Sequence, residues 1–219
     1  MAATDPYGLK NSGFMSAENY YPEEAVNRAV SMSTYVIQGL DQQTREMAIE
    51  LYRDMFYLGY LLYMFSGYRS FDKQLALYEQ YKQGTGNIAA PPGDSMHNYG
   101  RAIDLMVLDF SGEGQLPGGL KKVNQANENL NIPFKWGGSF NDPNHYWNDT
   151  VPVSELKKNS IEYVEWLEET GWQPDIVLDD GPKLSGLALF WNEQKEVAIT
   201  MVIGLAVLIM IFIASIYND

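Results

Sequence analysis

The sequence has no cysteine, only two histidines in 219 residues, and 15 basic against 28 acidic residues. Without cysteine the chain cannot form a disulfide framework, a thiolate zinc site, an iron–sulfur cluster or a cysteine nucleophile. The net charge of -13 argues against nucleic acid as a partner, because phosphate binding needs a concentrated basic face. Any histidine chemistry must therefore use His97, His145 or both.

The two ends of the chain differ in character. The N-terminus, MAATDPYGLKNSG, has no basic segment followed by an apolar run, so no secretory signal peptide is predicted. Val197–Tyr217 contains no charged residue. As a helix rising ~1.5 Å per residue it would span about 32 Å, which matches a ~30 Å hydrocarbon core. We therefore predict a single C-terminal transmembrane helix in a lipid bilayer, with the preceding Lys195 favouring a cytoplasmic orientation of the main domain.

Between the ends, the hydrophobic pattern predicts a mixture of helices and strands without regular βαβ spacing. This favours an α+β fold, with a small antiparallel sheet and packed helices. Helices are predicted over residues 44–58, 71–83, 120–130 and 154–170, and strands over 60–68 and 101–110. In the last helix we expect Ile161, Val164 and Leu167 to face the core and Gly171 to end the helix.

Three polar residues are candidate metal ligands. His97 follows a turn-forming PPGD run, Asp104 lies within an apolar strand, and His145 is predicted to lie in a Gly/Asn/Pro-rich loop between two tryptophans. A carboxylate at a buried strand position is costly unless it is paired or bound to a metal. Two histidines and one aspartate, with a fourth position open, are typical of a catalytic zinc site. The sequence therefore predicts one zinc ion (Zn2+) as cofactor.

Two further residues complete a candidate active site. Asp142 lies three residues before His145, where its carboxylate can take a proton from an attacking water and deliver it to a leaving amine. Arg69, in SGYRS, can stabilise a developing oxyanion with its fixed positive charge. Together with the three candidate ligands, these residues predict a metallopeptidase.

Each of these residues also has an ordinary structural interpretation. His97 could be a surface loop residue, and Asp104 could form a salt bridge with Arg101. Asp142 precedes a proline, as turn residues often do, and Arg69 could pair with any of the 28 acidic residues. Only the combination of the five residues favours a site over these alternatives.

The segments SGYRSFDKQLALY, SMHNYGRAIDL and WGGSFNDPNHY resemble the M15 metallopeptidases. These are zinc D-Ala-D-Ala peptidases and phage-type L-alanyl-D-glutamate endopeptidases, which cut the stem peptides of peptidoglycan. The family pattern is Ser-x-His-x-x-Gly-x-Ala-x-Asp followed by Asp-x-x-His, and it falls on Ser95–Asp104 and Asp142–His145 without a gap. The chain departs from the family at Ser139-Phe140, where members often have Asp-Trp, and at Asn144, where they often have proline.

The resemblance implies a role for each matching residue. It implies zinc ligation by His97, Asp104 and His145, catalysis by Asp142 and Arg69, and substrate binding by Ser95 and Gln74. The predicted organisation is an N-terminal extension over residues 1–39, a zinc peptidase domain over 40–172, a linker over 173–196 and the transmembrane helix over 197–217.

The leading functional hypothesis is a membrane-anchored zinc peptidase that cleaves peptidoglycan stem peptides. The unusual combination with a membrane span suggests an enzyme of a bacteriophage, located at the internal membrane of the virion, with capsid proteins as further partners. One alternative is a D,D-carboxypeptidase or dipeptidase of the same family. Another is a non-catalytic, zinc-bearing protein that binds the wall or serves as a structural protein of the virion membrane. Asp142 and Arg69 favour an enzyme, since a binding role requires neither.

Overall fold

The fold places helices against one face of a four-stranded antiparallel sheet. The computed structural model describes residues 5–10 and 16–173. In these residues the helices are α1 (Glu23–Gln38), α2 (Gln42–Tyr57), α3 (Phe71–Lys82), α4 (Gly119–Asn129), α5 (Val153–Asn159) and α6 (Ile161–Thr170), and the strands are β1 (Leu62–Ser66), β2 (Ala102–Val107), β3 (Phe134–Trp136) and β4 (His145–Asn148). The strand order is β1-β2-β4-β3. The predicted α+β class with a small antiparallel sheet is confirmed.

The two faces of the sheet have different side chains, because successive residues of a strand point to opposite sides. One face is buried in the main core and consists of Leu62, Met64, Ile103, Leu105, Val107, Phe134 and Tyr146. The other face has more exposed side chains, including Tyr63, Phe65, Asp104, Met106, His145 and Trp147. Asp104 therefore lies in an apolar strand but on the face that points away from the core.

Helix α1 is an element that the sequence analysis did not identify. Its residues Ala25, Ala29, Ser33 and Ile37 recur every four positions and are buried. The Ser33 hydroxyl accepts a hydrogen bond from the backbone N–H of Met64 at 3.1 Å, which covers part of the free edge of β1. Residues before position 40 thus contribute to the core that supports the sheet.

The predicted helix over residues 154–170 is two helices, so that prediction was wrong. Ser160 leaves the helical conformation, with φ -86° and ψ 108°, and its side chain caps α6 by accepting from the N–H of Tyr163. The expected inward face was wrong at Ile161, which is 74% exposed, and at Val164, which is 46% exposed, whereas Leu167 packs against the buried aromatic cluster as expected. The aromatic rings of Tyr163 and Trp166 are buried instead, since they offer more apolar surface to the core.

Two expectations at the C-terminal side have different outcomes. Gly171, in a left-handed conformation with φ +63°, ends α6 as predicted. Among the residues that the structure describes, no helix is long and apolar enough to cross a membrane. The predicted transmembrane helix Val197–Tyr217 and residues 174–196 of the predicted linker lie outside the described residues, so both stay predictions.

Gly100 joins the turn between α1 and α2 to the segment that contains His97. Its φ is +65°, and a Cβ at this position would lie 2.8 Å from the carbonyl oxygen of Gly39 and 2.9 Å from the nitrogen of Asp41. The N–H of Asp41 also donates to the Gly100 carbonyl at 3.1 Å. Replacing Gly100 with alanine should therefore cost about 1–3 kcal/mol in the free energy of unfolding, measured by urea denaturation.

Gly84 provides the control for this substitution. Its φ is +69°, but no atom lies within 4 Å of the position of its Cβ. Gly84→Ala introduces the same backbone strain without the close approach, so it should lower the free energy of unfolding by less than Gly100→Ala. Equal losses in the two variants would show that the contact with Gly39 and Asp41 contributes nothing.

Candidate functional site

The three predicted metal ligands come from adjacent elements. His97 lies in a one-turn helix, Met96–Tyr99, that leads into β2, which contains Asp104. Asp104 and His145 are directly paired in the antiparallel register of β2 and β4, so their side chains project from the same face of the sheet. The ladder and the turn before it thus bring together residues that are up to 48 positions apart in the chain.

The ligand atoms of these residues form a compact cluster. Oδ1 of Asp104 lies 2.9 Å from Nδ1 of His145 and 3.2 Å from Nε2 of His97. The two ring nitrogens are 3.3 Å apart, and all the candidate ligand atoms lie within 4.8 Å of one another. Two imidazole nitrogens and one carboxylate oxygen are a donor set that suits zinc. The cluster therefore fits the metal that the motif implies.

His97 is held in the orientation that a metal ligand needs. Its side chain is 3% exposed, and Nδ1 lies 2.6 Å from the carbonyl oxygen of Gly67. Because a carbonyl only accepts, Nδ1 must donate the hydrogen, and Nε2 is the ring nitrogen that faces Asp104 and His145 and can offer its lone pair to a metal. Such a hydrogen bond behind a histidine fixes its tautomer and ring orientation and is typical of metal centres.

Arg69 lies beside the cluster. Its Nη2 forms an ion pair with Oδ2 of Asp104 at 3.3 Å and donates to the hydroxyl of Ser66 at 3.1 Å. The alternative that Asp104 is a salt-bridge partner of Arg101 is wrong, because Arg101 pairs with Asp41 at 3.3 Å. The acidic residue that pairs with Arg69 is thus the candidate metal ligand itself.

Burial and neighbouring charges shift the pKa values of Asp104 and Arg69. Burial by itself would raise the pKa of Asp104, but hydrogen bonds and charge interactions with His145 and His97 hold it well below its ordinary value. Burial lowers the pKa of Arg69, and the negative charges of Asp104 and Asp142 oppose this shift. Asp104 is therefore ionised, as a ligand must be, and an arginine in this setting keeps its charge at neutral pH.

Asp142 lies in a short loop that leads into β4. Its N–H donates to the carbonyl of Gly137 at 3.0 Å, and its own carbonyl accepts from the N–H of His145 at 3.1 Å. The Trp136 indole donates to the carbonyl of Pro143 at 2.7 Å, which fixes the middle of the loop. Asp142 is half-buried, and its negative charge opposes the lowering of the Arg69 pKa. Its catalytic role stays a prediction.

The two residues that the family resemblance assigns to substrate binding lie near Arg69. Ser95 is 8% exposed and directly precedes the one-turn helix of His97. Gln74, in α3, is 1% exposed, and its Oε1 accepts from Nη1 of Arg69 at 2.9 Å. Its amide nitrogen donates to the carbonyl of Ala90 at 2.6 Å. Substrate contact by Ser95 and Gln74 stays a prediction.

Sequence reasoning missed residues that hold the site together. Asn98 is 2% exposed and donates to the carbonyl of Arg69 at 2.8 Å. Asn144 donates from its side chain to the carbonyl of Leu105 at 2.8 Å and so fastens β4 to β2 beside Asp104. Asn98 lies at a variable position of the family motif, so the motif does not identify it, and nothing in the local pattern identifies the partner of Asn144.

Comparison with known proteins assigns the chain to a family. Residues 37–172 match the family model described as VanY: D-alanyl-D-alanine carboxypeptidase. Over 84 residues the chain is 33% identical to the peptidoglycan L-alanyl-D-glutamate endopeptidase CwlK of Bacillus subtilis (strain 168), a match that covers 34% of this chain and 50% of that protein. The chain thus spans about half the length of this curated relative.

Solved structures include a similar chain. It is the L-Ala D-Glu endopeptidase ChiX of Serratia marcescens, with a TM-score of 0.41, 18% identity, and coverage of 53% of this chain and 86% of that chain. The family model extends over more than half of the sequence and includes every predicted site residue from Arg69 to His145. The chain therefore belongs to the VanY D-alanyl-D-alanine carboxypeptidase family of M15 peptidases.

Proposed function

We propose that this protein is a zinc peptidase that cleaves peptide bonds in the stem peptides of bacterial peptidoglycan. The observation that carries the proposal is the cluster of His97, Asp104 and His145, whose ligand atoms lie within 4.8 Å of one another. The ion pair between Asp104 and Arg69 at 3.3 Å adds a fixed cation next to the metal position. Membership of a peptidase family supports the same reaction class.

The residues of the site have separate tasks in this reaction. A zinc ion held by His97, Asp104 and His145 would supply Lewis acidity for the scissile carbonyl and favour ionisation of water near neutral pH. Asp142 accepts the proton of the attacking water and then delivers it to the departing amine. The Arg69 guanidinium neutralises the negative charge that develops on the carbonyl oxygen in the transition state.

Two candidate activities differ in the bond that is cut. The relative CwlK is named as an L-alanyl-D-glutamate endopeptidase, and this supports an endopeptidase. The family model is described as a D-alanyl-D-alanine carboxypeptidase, and this supports removal of the terminal residue. We favour the endopeptidase, because the HNYGRAID segment resembles the phage-type enzymes.

The uncharged segment Val197–Tyr217 supports a further part of the proposal, a membrane anchor. In this proposal the lipid bilayer is the partner of the C-terminal helix, and the protein is located at the internal membrane of a bacteriophage virion. Capsid proteins would be its neighbours there. The sequence pattern alone supports this localisation.

A synthetic stem peptide distinguishes the candidate activities. The substrate is an N-acylated pentapeptide that contains an L-Ala–D-Glu bond and a D-Ala–D-Ala end, incubated with the full-length, zinc-loaded protein. Mass spectrometry should show cleavage at the L-Ala–D-Glu bond. Loss of the terminal D-Ala would support the carboxypeptidase instead, and an intact peptide that binds without being cut would support the non-catalytic alternative.

A further inference from the structure

Two buried side-chain amides connect Arg69 to the same loop. Gln74 and Asn98 are 1% and 2% exposed. The loop, Ala90-Pro91-Pro92-Gly93, is referred to as the proline loop. Neither amide belongs to the ligand cluster, yet each has one hydrogen bond to Arg69 and one to this loop.

Gln74 holds the guanidinium end of Arg69. Its Oε1 accepts from Nη1 of Arg69 at 2.9 Å, while its Nε2 donates to the carbonyl of Ala90 at 2.6 Å. An amide is suited to this position, because one end must accept and the other must donate. A carboxylate could still accept from Arg69, but it would face the Ala90 carbonyl without a hydrogen to share.

Asn98 holds the backbone of the same arginine. Its Nδ2 donates to the carbonyl of Arg69 at 2.8 Å, and its Oδ1 accepts from the N–H of Gly93 at 3.0 Å. The N–H of Arg69 donates to the carbonyl of His97 at 2.9 Å. Hydrogen bonds to Asn98 and His97 therefore hold the main chain of Arg69. The position of its guanidinium depends instead on hydrogen bonds to Gln74, Ser66 and Asp104.

The proline loop is itself rigidly supported. Its two prolines restrict the backbone, and the hydroxyl of Tyr99 donates to the carbonyl of Gly93 at 2.9 Å. Gly93 has φ +83°, and a Cβ there would lie 2.6 Å from the ring of Tyr163 in α6. Next to the loop, Asp94 forms an ion pair with Lys157 of α5 at 2.8 Å. The loop thus provides Gln74 with a fixed acceptor, backed by the C-terminal helices.

We propose that Gln74 is a positioning residue that holds the Arg69 guanidinium in place by anchoring it to the proline loop. The proposal rests on the role of Arg69 in the proposed function and differs from the substrate contact that the family resemblance implies for Gln74. Both ends of the Gln74 amide are already bonded within the protein, and the residue is only 1% exposed, which leaves almost no surface for contact with a substrate. Its effect on the reaction therefore passes through Arg69, whose charge is needed in the transition state.

The kinetic test compares Gln74→Met with Gln74→Glu in the zinc-loaded, full-length protein. Gln74→Met should lower kcat about 10- to 100-fold, because a small misplacement of a catalytic group costs up to ~10²-fold. KM should stay within about two-fold, since loss of uniform substrate binding would instead raise KM at constant kcat. Gln74→Glu keeps the acceptor for Arg69 and should give an intermediate kcat.

A double-mutant cycle isolates the dependence on Arg69. In an Arg69→Met background, Gln74→Met should produce no further loss of kcat, because the group that it positions is already absent. An additional loss similar to that in the wild type, or a rise in KM alone, would overturn the proposal. Zinc content should stay stoichiometric in each variant.

Asn127→Leu is the matched control for removal of a buried amide. Asn127, in α4, is 4% exposed and donates to the carbonyl of Phe134 in β3 at 2.9 Å, while its Oδ1 has no hydrogen-bond partner among the described residues. Leucine leaves the Phe134 carbonyl without this donor, so Tm should fall, and kcat should stay unchanged because this hydrogen bond involves neither Arg69 nor the ligand cluster. If kcat falls in proportion to the fall in Tm, and does so to the same degree in Asn127→Leu and Gln74→Met, then Gln74 has only a structural role.

A readout that does not need turnover separates this proposal from the proposed function. The NMR order parameter of the Arg69 Nε–H bond reports directly on side-chain restraint. It should fall in Gln74→Met and stay unchanged in Asn127→Leu. An unchanged value in Gln74→Met overturns the positioning role, whereas a lower value in a protein that cleaves no stem peptide would refute the proposed function alone.

Discussion

Replacement of His97 by alanine should abolish stoichiometric zinc binding and reduce stem-peptide cleavage by at least ~10³-fold, since metal-ion catalysis contributes several kcal/mol. His97 is 2% exposed, and its Nδ1 is tied to the Gly67 carbonyl. The remaining ligands, Asp104 and His145, would leave the metal with only two protein donors, fewer than catalytic zinc sites use. Metal content by mass spectrometry and initial cleavage rates measure the two effects.

A thermal measurement checks the same prediction without enzyme activity. Zinc that binds only the folded state raises Tm, so a chelator should lower the Tm of the wild type. The Tm of the His97→Ala variant should not respond to chelator, because no bound metal remains to be removed. Full zinc content in a His97→Ala/His145→Ala double variant would show that the metal lies elsewhere.

Asp142→Asn should retain zinc and the fold while losing about 10²- to 10⁴-fold in kcat, the usual contribution of general acid–base catalysis. Asparagine has the same shape as aspartate but cannot take up a proton. The backbone bonds of this residue to Gly137 and His145 do not involve the carboxylate, so the loop should keep its conformation. Asp142 is not part of the ligand cluster, which is the reason to expect unchanged metal content.

The matched control for this substitution is Asp109→Asn. The Asp109 carboxylate accepts hydrogen bonds from the backbone N–H and the hydroxyl of Ser111, in an exposed loop after β2. The same isosteric change there should leave kcat within about two-fold, as expected for a residue outside the catalytic machinery. Loss of zinc in Asp142→Asn would mean that Asp142 is a ligand, and full activity would mean that another group acts as the base.

The sequence was sufficient to predict that His97, Asp104 and His145 lie together, but not the way in which the fold brings them together. His97 and Asp104 lie within one short motif, so their type and spacing were informative. His145 was assigned to a Gly/Asn/Pro-rich loop, yet it begins β4 and pairs with Asp104 in the sheet. Strand pairing depends on contacts between distant segments, and a four-residue strand carries too little local pattern to predict it.

Local sequence patterns also do not determine where a helix breaks, which of its faces is buried, or how a buried amide is oriented. The residues of α5 and α6 have helical periodicity throughout, but Ser160 uses its side chain as a cap and breaks the helix. The buried face then follows the aromatic cluster around Phe71, which leaves Ile161 exposed. The orientation of the Gln74 amide likewise depends on the Ala90 carbonyl, a distant partner that composition and spacing do not show.

The most direct test of the central proposal is the digestion of purified peptidoglycan by three preparations of the full-length protein. These are zinc-loaded wild type, wild type stripped of metal by a chelator, and zinc-loaded Asp142→Asn. Mass spectrometry of the reaction products should show stem peptides cut at a single type of bond by the zinc-loaded wild type, with activity lost on stripping and restored by added zinc. The Asp142→Asn protein should contain zinc and release almost no product. Intact stem peptides after incubation with zinc-loaded wild type, or equal cleavage by the stripped protein, would contradict the assignment of a zinc peptidase.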